Sequence, residues 1–276
     1  MLENIKKSFT SKLLLVIGIV WVILALVFGF TDLEISKAVV NENSNWGNFG
    51  ADYGEIPGYG LIAIALATFL GSFNNNLKLQ KIPAYVSVIF GVLFIIFGDS
   101  VTNLYTGWCL IIPMIIFVII TWNRDWKNYR TIAGIISLLA IINPLILVQL
   151  MKLFWGRVRF RDLSPGFVDY TPWFLPQGIT GNQSFPSGHT AMGWMFLPLL
   201  ITIKDRKNKD AIKIIISFLI LGWGLFVGLS RIVIGAHYAS DVLFSTMMAA
   251  VSTILLYKKL YIKISRLETD KMIEKN

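Results

Sequence analysis

The sequence is short of three things: cysteine, histidine and charge. Cys109 is the single cysteine in 276 residues. Neither a disulfide framework nor a thiolate metal site can form within one such chain, and redox chemistry lacks a second thiol. The imidazoles are His189 and His237 alone. Charged residues make up 15% of the chain against 55% hydrophobic, where a soluble domain carries roughly 25% charged residues. Internal repeats, low-complexity tracts and a second soluble domain are also missing.

Blocks of apolar residues stand in place of the missing charge, and the mean hydropathy is +0.65. They cover 13–30, 59–73, 83–97, 107–121, 131–151, 188–203, 211–229 and 238–257. Helices of this kind cross a hydrocarbon layer roughly 30 Å thick. Helices of a soluble core would need polar faces, and these have almost none. The expectation is an all-α, polytopic transmembrane bundle of about eight spanning helices, forming one integral membrane domain over 1–276. Block 13–30 lacks a small-residue cleavage site beyond it and reads as a retained anchor.

Basic residues set the orientation, because lysine and arginine concentrate on the cytoplasmic side. With the N-terminus inside, that side holds Lys6, Lys7, Lys12, Lys78, Lys81, Arg124, Lys127, Arg130, the run 204–213 and the basic tail 258–276. The other side keeps Lys37, Lys152, Arg157, Arg159, Arg161 and Arg231. Both termini are thus expected in the cytoplasm, in a plasma membrane. The net charge of +9 follows membrane sidedness, which makes nucleic acid a poor partner and leaves the tail to meet anionic lipid.

The outside cations cluster beside the two histidines, in three stretches. Lys152 opens the first, which runs through Arg157 and Arg159 to Phe160. Ser184-Phe-Pro-Ser187-Gly188-His189 is the second, and Ser230-Arg231 followed by His237 and Asp241 is the third. All three fall on one side of a topology drawn from charge alone. Lys152, Arg159 and Arg231 supply positive charge, and the guanidinium fork matches phosphate oxygens. Pro186-Ser187-Gly188 reads as a turn opening a helix, whose free N–H groups favour an anion. Ser187 adds a hydroxyl, and Gly188 permits close backbone approach. Together these parts describe a cradle for a small, highly charged anion.

His237 and Asp241 are four apart and share a helix face if the last helix begins there. A carboxylate fixing one imidazole nitrogen leaves the other aimed at the anion, with histidine itself as nucleophile. His189 is then free to give a proton to the departing oxygen. Two histidines and an aspartate could also hold iron or zinc. The three neighbouring cations would repel such a metal, so no metal or other cofactor is expected. Ser187 is a weaker nucleophile, because it lacks the Gly-x-Ser-x-Gly elbow.

These stretches resemble the signature motifs of the type 2 phosphatidic acid phosphatase superfamily: Lys-x6-Arg-Pro, Pro-Ser-Gly-His and Ser-Arg-x5-His-x3-Asp. The second and third match at every fixed position, and the first carries Phe160 where proline is usual. The resemblance covers about 151–257, within a motif-bearing core of about 131–257; the family core has six spanning helices, and the extra segments toward the N-terminus lie outside the resemblance. It implies a metal-independent enzyme in which His237 attacks phosphorus to give a phosphohistidine, supported by Asp241. His189 would protonate the leaving oxygen, while Lys152, Arg159, Ser187, Gly188 and Arg231 hold the phosphoryl oxygens. The implied substrate is a lipid phosphomonoester or diphosphate in the bilayer: phosphatidate, phosphatidylglycerophosphate or a polyprenyl diphosphate.

A phosphotransferase working through the same phosphoenzyme is the alternative, and a transporter or proton channel using Asp99, Asp241 and the histidines is a third reading. Arg157 and Arg161 lie outside the strict pattern, as residues behind the cradle, headgroup contacts or solvated charges. The loop after Phe160, with Phe167, Tyr170, Trp173 and Phe174, is expected to form an interfacial aromatic belt or a rim over the site. The outer loop 31–58 carries no assignable role. A neutral His237 and a protonated His189 predict a bell-shaped pH profile.

Overall fold

Helices that are apolar all round cannot sort their faces by hydrophobicity, because lipid tails are as apolar as leucine; side-chain size sorts them instead. Phe30, Phe97, Ile120 and Phe218 point outward and are largely exposed, as suits a lipid-facing surface. Small residues lie where helices meet. A Cβ added at Gly91 would stand 2.8 Å from the Gly107 carbonyl oxygen, and one at Gly107 would stand 2.7 Å from that of Gly91. Those two helices therefore touch backbone to backbone.

The computed structural model describes residues 2–262; the tail beyond residue 262 lies outside the described residues. The α-helices are α1 (Leu2–Val39), α2 (Asn45–Tyr53), α3 (Ile56–Gly71), α4 (Ile82–Phe97), α5 (Val101–Ile120), α6 (Arg130–Ala140), α7 (Val148–Trp155), α8 (Gly188–Gly193), α9 (Ala211–Val233) and α10 (Ala239–Leu256). No strand occurs among the described residues. Among the described residues, seven helical stretches are long and apolar enough to cross a membrane, and Gly188–Ile203 is a shorter apolar helix. The chain is thus the polytopic all-helical bundle that its hydropathy predicts.

The helices depart from the apolar blocks in instructive ways. The apolar run ends at Phe30, yet α1 continues to Val39, because Asp32 and Ser36 lie on its inward face with no exposed surface. The expected outer loop is therefore largely helical, with α2 inside it. The block 131–151 is α6, a π-helical stretch Ile141–Leu147 containing Pro144, and then α7; a ring lacking an N–H forces such a local rearrangement. Past Gly193 the helix tightens to 3-10 geometry over Trp194–Ile203, around Pro198.

Around the core, α3 packs on α4, α5 and α6, α1 lies along α10, and α8 contacts α9 and α10. Ala65, Ile135, Ile136, Leu139, Met192, Met195 and Leu256 form a buried cluster that joins α3, α6, α8 and α10. A cavity of about 500 Å³ lined by Leu14, Gly18, Trp21 and Met247 opens beside α1. Its walls are apolar and hold none of the ionisable residues, so it is a lipid-facing hollow apart from the chemistry.

Candidate active site

Four helix ends build the site. Helix α7 stops at Gly156, whose φ of 55° closes the helix in the left-handed region. A Cβ there would also meet the Gly178 carbonyl oxygen at 2.2 Å, so glycine is required twice over. This turn releases the chain into the segment bearing Arg157 and Arg159. Helix α8 starts after Ser187, whose Oγ accepts from Thr190 N at 3.3 Å and from the Thr190 hydroxyl at 2.8 Å. Both contacts leave the hydroxyl proton of Ser187 uncommitted. Arg231 lies in the last turn of α9, and α10 begins just beyond His237.

The three stretches meet. A methyl group at Gly188 would lie 3.6 Å from Lys152 Nζ, which joins the first stretch to the second. Arg231 and Lys152 are close enough to His237 for their charges to act on it, and Arg231, Lys152 and Arg159 act likewise on His189. Arg159 and Arg231 each keep a buried Nε without a hydrogen-bond partner. Unsatisfied guanidinium donors converging beside two imidazoles suit a tetrahedral anion.

His237 is almost fully buried, and its Nδ1 lies 2.5 Å from the Ser184 carbonyl oxygen. A carbonyl can only accept, so Nδ1 carries the proton and Nε2 keeps its lone pair. Burial pushes this imidazole down to about 4 from its ordinary 6.5, against the opposing pull of Asp241, so it is neutral at physiological pH. Asp241 Oδ2 stands 3.6 Å from Nδ1, an ion-pair distance rather than a hydrogen bond. The bond that fixes the ring is made by a backbone carbonyl, and Asp241 acts one step behind it.

Asp241 is itself held from several sides. Arg157 Nη1 donates to Oδ1 at 2.6 Å, Ser184 Oγ to Oδ2 at 2.6 Å, and the Tyr238 N–H to Oδ2 at 2.9 Å. Arg157 is buried, and its Nη2 reaches Asp32 Oδ2 at 2.9 Å while Nε donates to the Thr171 carbonyl at 2.8 Å. Ser240 completes the group: its N–H donates to Asp32 Oδ1 at 3.0 Å, its hydroxyl donates to Asp32 Oδ2, and its oxygen accepts from Arg157 Nη1. Arg157 is thus neither a headgroup contact nor a solvated charge.

The aromatic loop roofs this network. The Arg157 guanidinium lies 3.8 Å from the Tyr238 ring centre and 5.7 Å from that of Tyr170, a cation–π arrangement. Trp173 packs on Phe244 with ring centres 4.6 Å apart and donates to the Ala25 carbonyl at 2.8 Å. Phe160, at the position where proline is usual, stacks on Phe167 with ring centres 5.6 Å apart. It also meets the Tyr238 ring edge-on. Aromatic stacking anchors the turn that proline would stiffen.

Asp32 and Glu55 were missed by sequence reasoning, and both come from the stretch 31–58 that carried no assignable role. Glu55 Oε2 lies 3.6 Å from His189 Nε2. Arg161 stays toward the surface, 3.8 Å from Asp162. Among the described residues, no group of three or more His, Cys, Asp or Glu is arranged to hold a metal ion.

A family model described as the PAP2 superfamily matches residues 133–264, a span that contains all three stretches and leaves α1 to α5 outside. A lipid A 4′-phosphatase of Francisella tularensis subsp. novicida is 32% identical over 207 residues, which are 71% of this chain and 86% of that protein. Lipid A 1-phosphatases of Rhizobium etli and Rhizobium johnstonii are 25% and 26% identical, over 73% and 70% of their own lengths. No solved structure matches the chain.

Proposed function

The chain belongs to the PAP2 superfamily, and from that premise we propose that it hydrolyses a lipid phosphomonoester or diphosphate through a phosphohistidine on His237, without a metal. The observation that carries this reading is the Nδ1 bond from His237 to the Ser184 carbonyl, which leaves a neutral, lone-pair-bearing Nε2 beside Lys152, Arg159 and Arg231. The cations hold the phosphoryl oxygens, assisted by Ser187 and the backbone at Gly188, and offset charge that develops in the transition state. His189 donates to the leaving oxygen, and Asp241 stabilises the charge that His237 acquires.

A substrate anchored by its tails suits a site built from helix ends. The relatives named for lipid A add a phosphorylated saccharide lipid to phosphatidate, phosphatidylglycerophosphate and polyprenyl diphosphates as candidates. The charge distribution favours cytoplasmic termini and a site on the extracytoplasmic face of the plasma membrane.

Phosphate release by purified protein in detergent, across these lipids and with excess chelator, tests the reading. Release that persists in chelator and vanishes in His237→Ala supports it. Strict dependence on an added metal would overturn it.

A further inference from the structure

Each imidazole of the site faces a carboxylate. His237 has Asp241 behind it at 3.6 Å, and His189 has Glu55, whose Oε2 is 3.6 Å from Nε2. The first pair is sealed; the second is only partly buried, with side-chain exposures of 30% and 24%. The family motifs contain Asp241 but nothing corresponding to Glu55, which lies at the junction of α2 and α3, outside the residues matched by the family model.

Glu55 is fixed where it stands. Its backbone oxygen accepts from Gly58 N at 3.0 Å, and its Oε1 accepts from the Tyr59 hydroxyl at 3.0 Å. That leaves Oε2 turned toward His189. Burial, together with Arg231 from α9, Lys152 from α7 and Arg159 from the loop after it, holds the His189 imidazole well below its ordinary 6.5. Asp52 of α2 lies with Glu55 near Arg231. Glu55 is the carboxylate that faces the His189 ring, at 3.6 Å, amid these cations. An imidazole set among cations and required to act as an acid needs such a partner.

We propose that Glu55 is the positioning residue that opposes the surrounding cations at His189 and so favours its protonation for donation to the leaving group. The proposal rests on the phosphatase reading above. In the first step the Nε2 lone pair of His237 forms the P–N bond, the P–O bond breaks, and its electron pair leaves on the lipid oxygen, which takes the His189 proton. In the second, water attacks phosphorus, the P–N pair returns to His237, and His189 takes up the water proton. Glu55 makes and breaks no bond in either step. At 3.6 Å it is in ion-pair range but outside hydrogen-bonding range, so the Nε2 proton is not committed to it. In this account α2 and α3 supply part of the acid–base apparatus.

The test uses the full-length protein in detergent, with its best lipid substrate and with p-nitrophenyl phosphate, whose leaving group departs without protonation. Loss of a general acid's support should slow Glu55→Gln about 10²-fold in kcat on the lipid, with KM little changed, and by less than about threefold on p-nitrophenyl phosphate. The alkaline limb of the lipid profile should move to lower pH. Glu55→Asp should restore part of the lipid rate. Equal losses on both substrates, or an unchanged lipid rate in Glu55→Gln, would overturn the inference. Should Glu55→Gln not fold, Glu55→Asp decides by the same ratio. A wild-type protein that releases no phosphate from either substrate would instead overturn the phosphatase reading.

Discussion

Arg157 donates to Asp32 at 2.9 Å across 125 residues of chain. Because the same guanidinium holds Asp241 at 2.6 Å, this contact ties the first helix to the carboxylate behind His237. A buried cation between two buried carboxylates is stable only as a set, and removing one member leaves the others uncompensated.

Asp32→Asn and Arg157→Gln are therefore expected to lower thermal stability by about 3 to 5 kcal/mol each. Both should also lower kcat more than they raise KM. Arg157→Lys should not rescue, since one ammonium cannot reach Asp32, Asp241 and the Thr171 carbonyl together. Melting curves and steady-state kinetics on the purified variants check this. Wild-type stability in Asp32→Asn would contradict it.

The pH behaviour follows from His237, whose imidazole burial pushes down to about 4. The unfolded chain protonates this group near 6.5 and the folded chain does not, so between those values the unfolded state binds more protons. Stability should then rise with pH across that window and be lost as pH falls from about 6.5 toward 4. The acid limb of kcat/KM should likewise lie near pH 4 to 5 rather than at 6.5. His237→Gln should make the stability profile shallower across the window, as read by melting temperature against pH.

Phe160 provides a third check. Its contacts with Phe167 and Tyr238 should contribute about 0.5 to 1.5 kcal/mol per aromatic pair. Phe160→Ala should accordingly lower the melting temperature. It should raise KM more than it lowers kcat, because the loosened turn carries Arg159. A kcat loss at constant KM would contradict this assignment.

Residue order and spacing made the motif-bearing side of the site legible. Lys152, Arg159, Ser187, Gly188, His189, Arg231, His237 and Asp241 are picked out by local patterns, and the structure brings the cations and both imidazoles together. The spanning helices were legible because an apolar run of this length has few other uses. What stayed hidden depended on contacts between distant parts of the chain. An acid just past an apolar run, such as Asp32, reads as a loop residue when its partner is Arg157 far along the chain. Glu55 sits in the same acid-rich stretch, with nothing local to distinguish it from Asp52. Even the His237–Asp241 spacing promised a direct hydrogen bond, which in the fold is made by the Ser184 carbonyl instead.

The cations give a fourth expectation. Lys152→Ala and Arg231→Ala should each weaken inhibition by inorganic phosphate or vanadate, because each removes a charge at the anion position. Arg231→Lys should recover only part of the binding, since an ammonium lacks the guanidinium fork. Inhibition constants measured at fixed ionic strength check this, and unchanged values in both alanine variants would contradict it.

The central claim is that His237 Nε2 takes the phosphoryl group. Rapid quenching of the enzyme during turnover of a labelled lipid phosphate, at alkaline pH where phosphohistidine survives, followed by peptide mass spectrometry, tests this most directly. The account predicts a phosphoryl group on His237, absent in His237→Ala and accumulating in His189→Ala when the substrate has a good leaving group. A label on His189 or Ser187, or undiminished hydrolysis by His237→Ala, would contradict it.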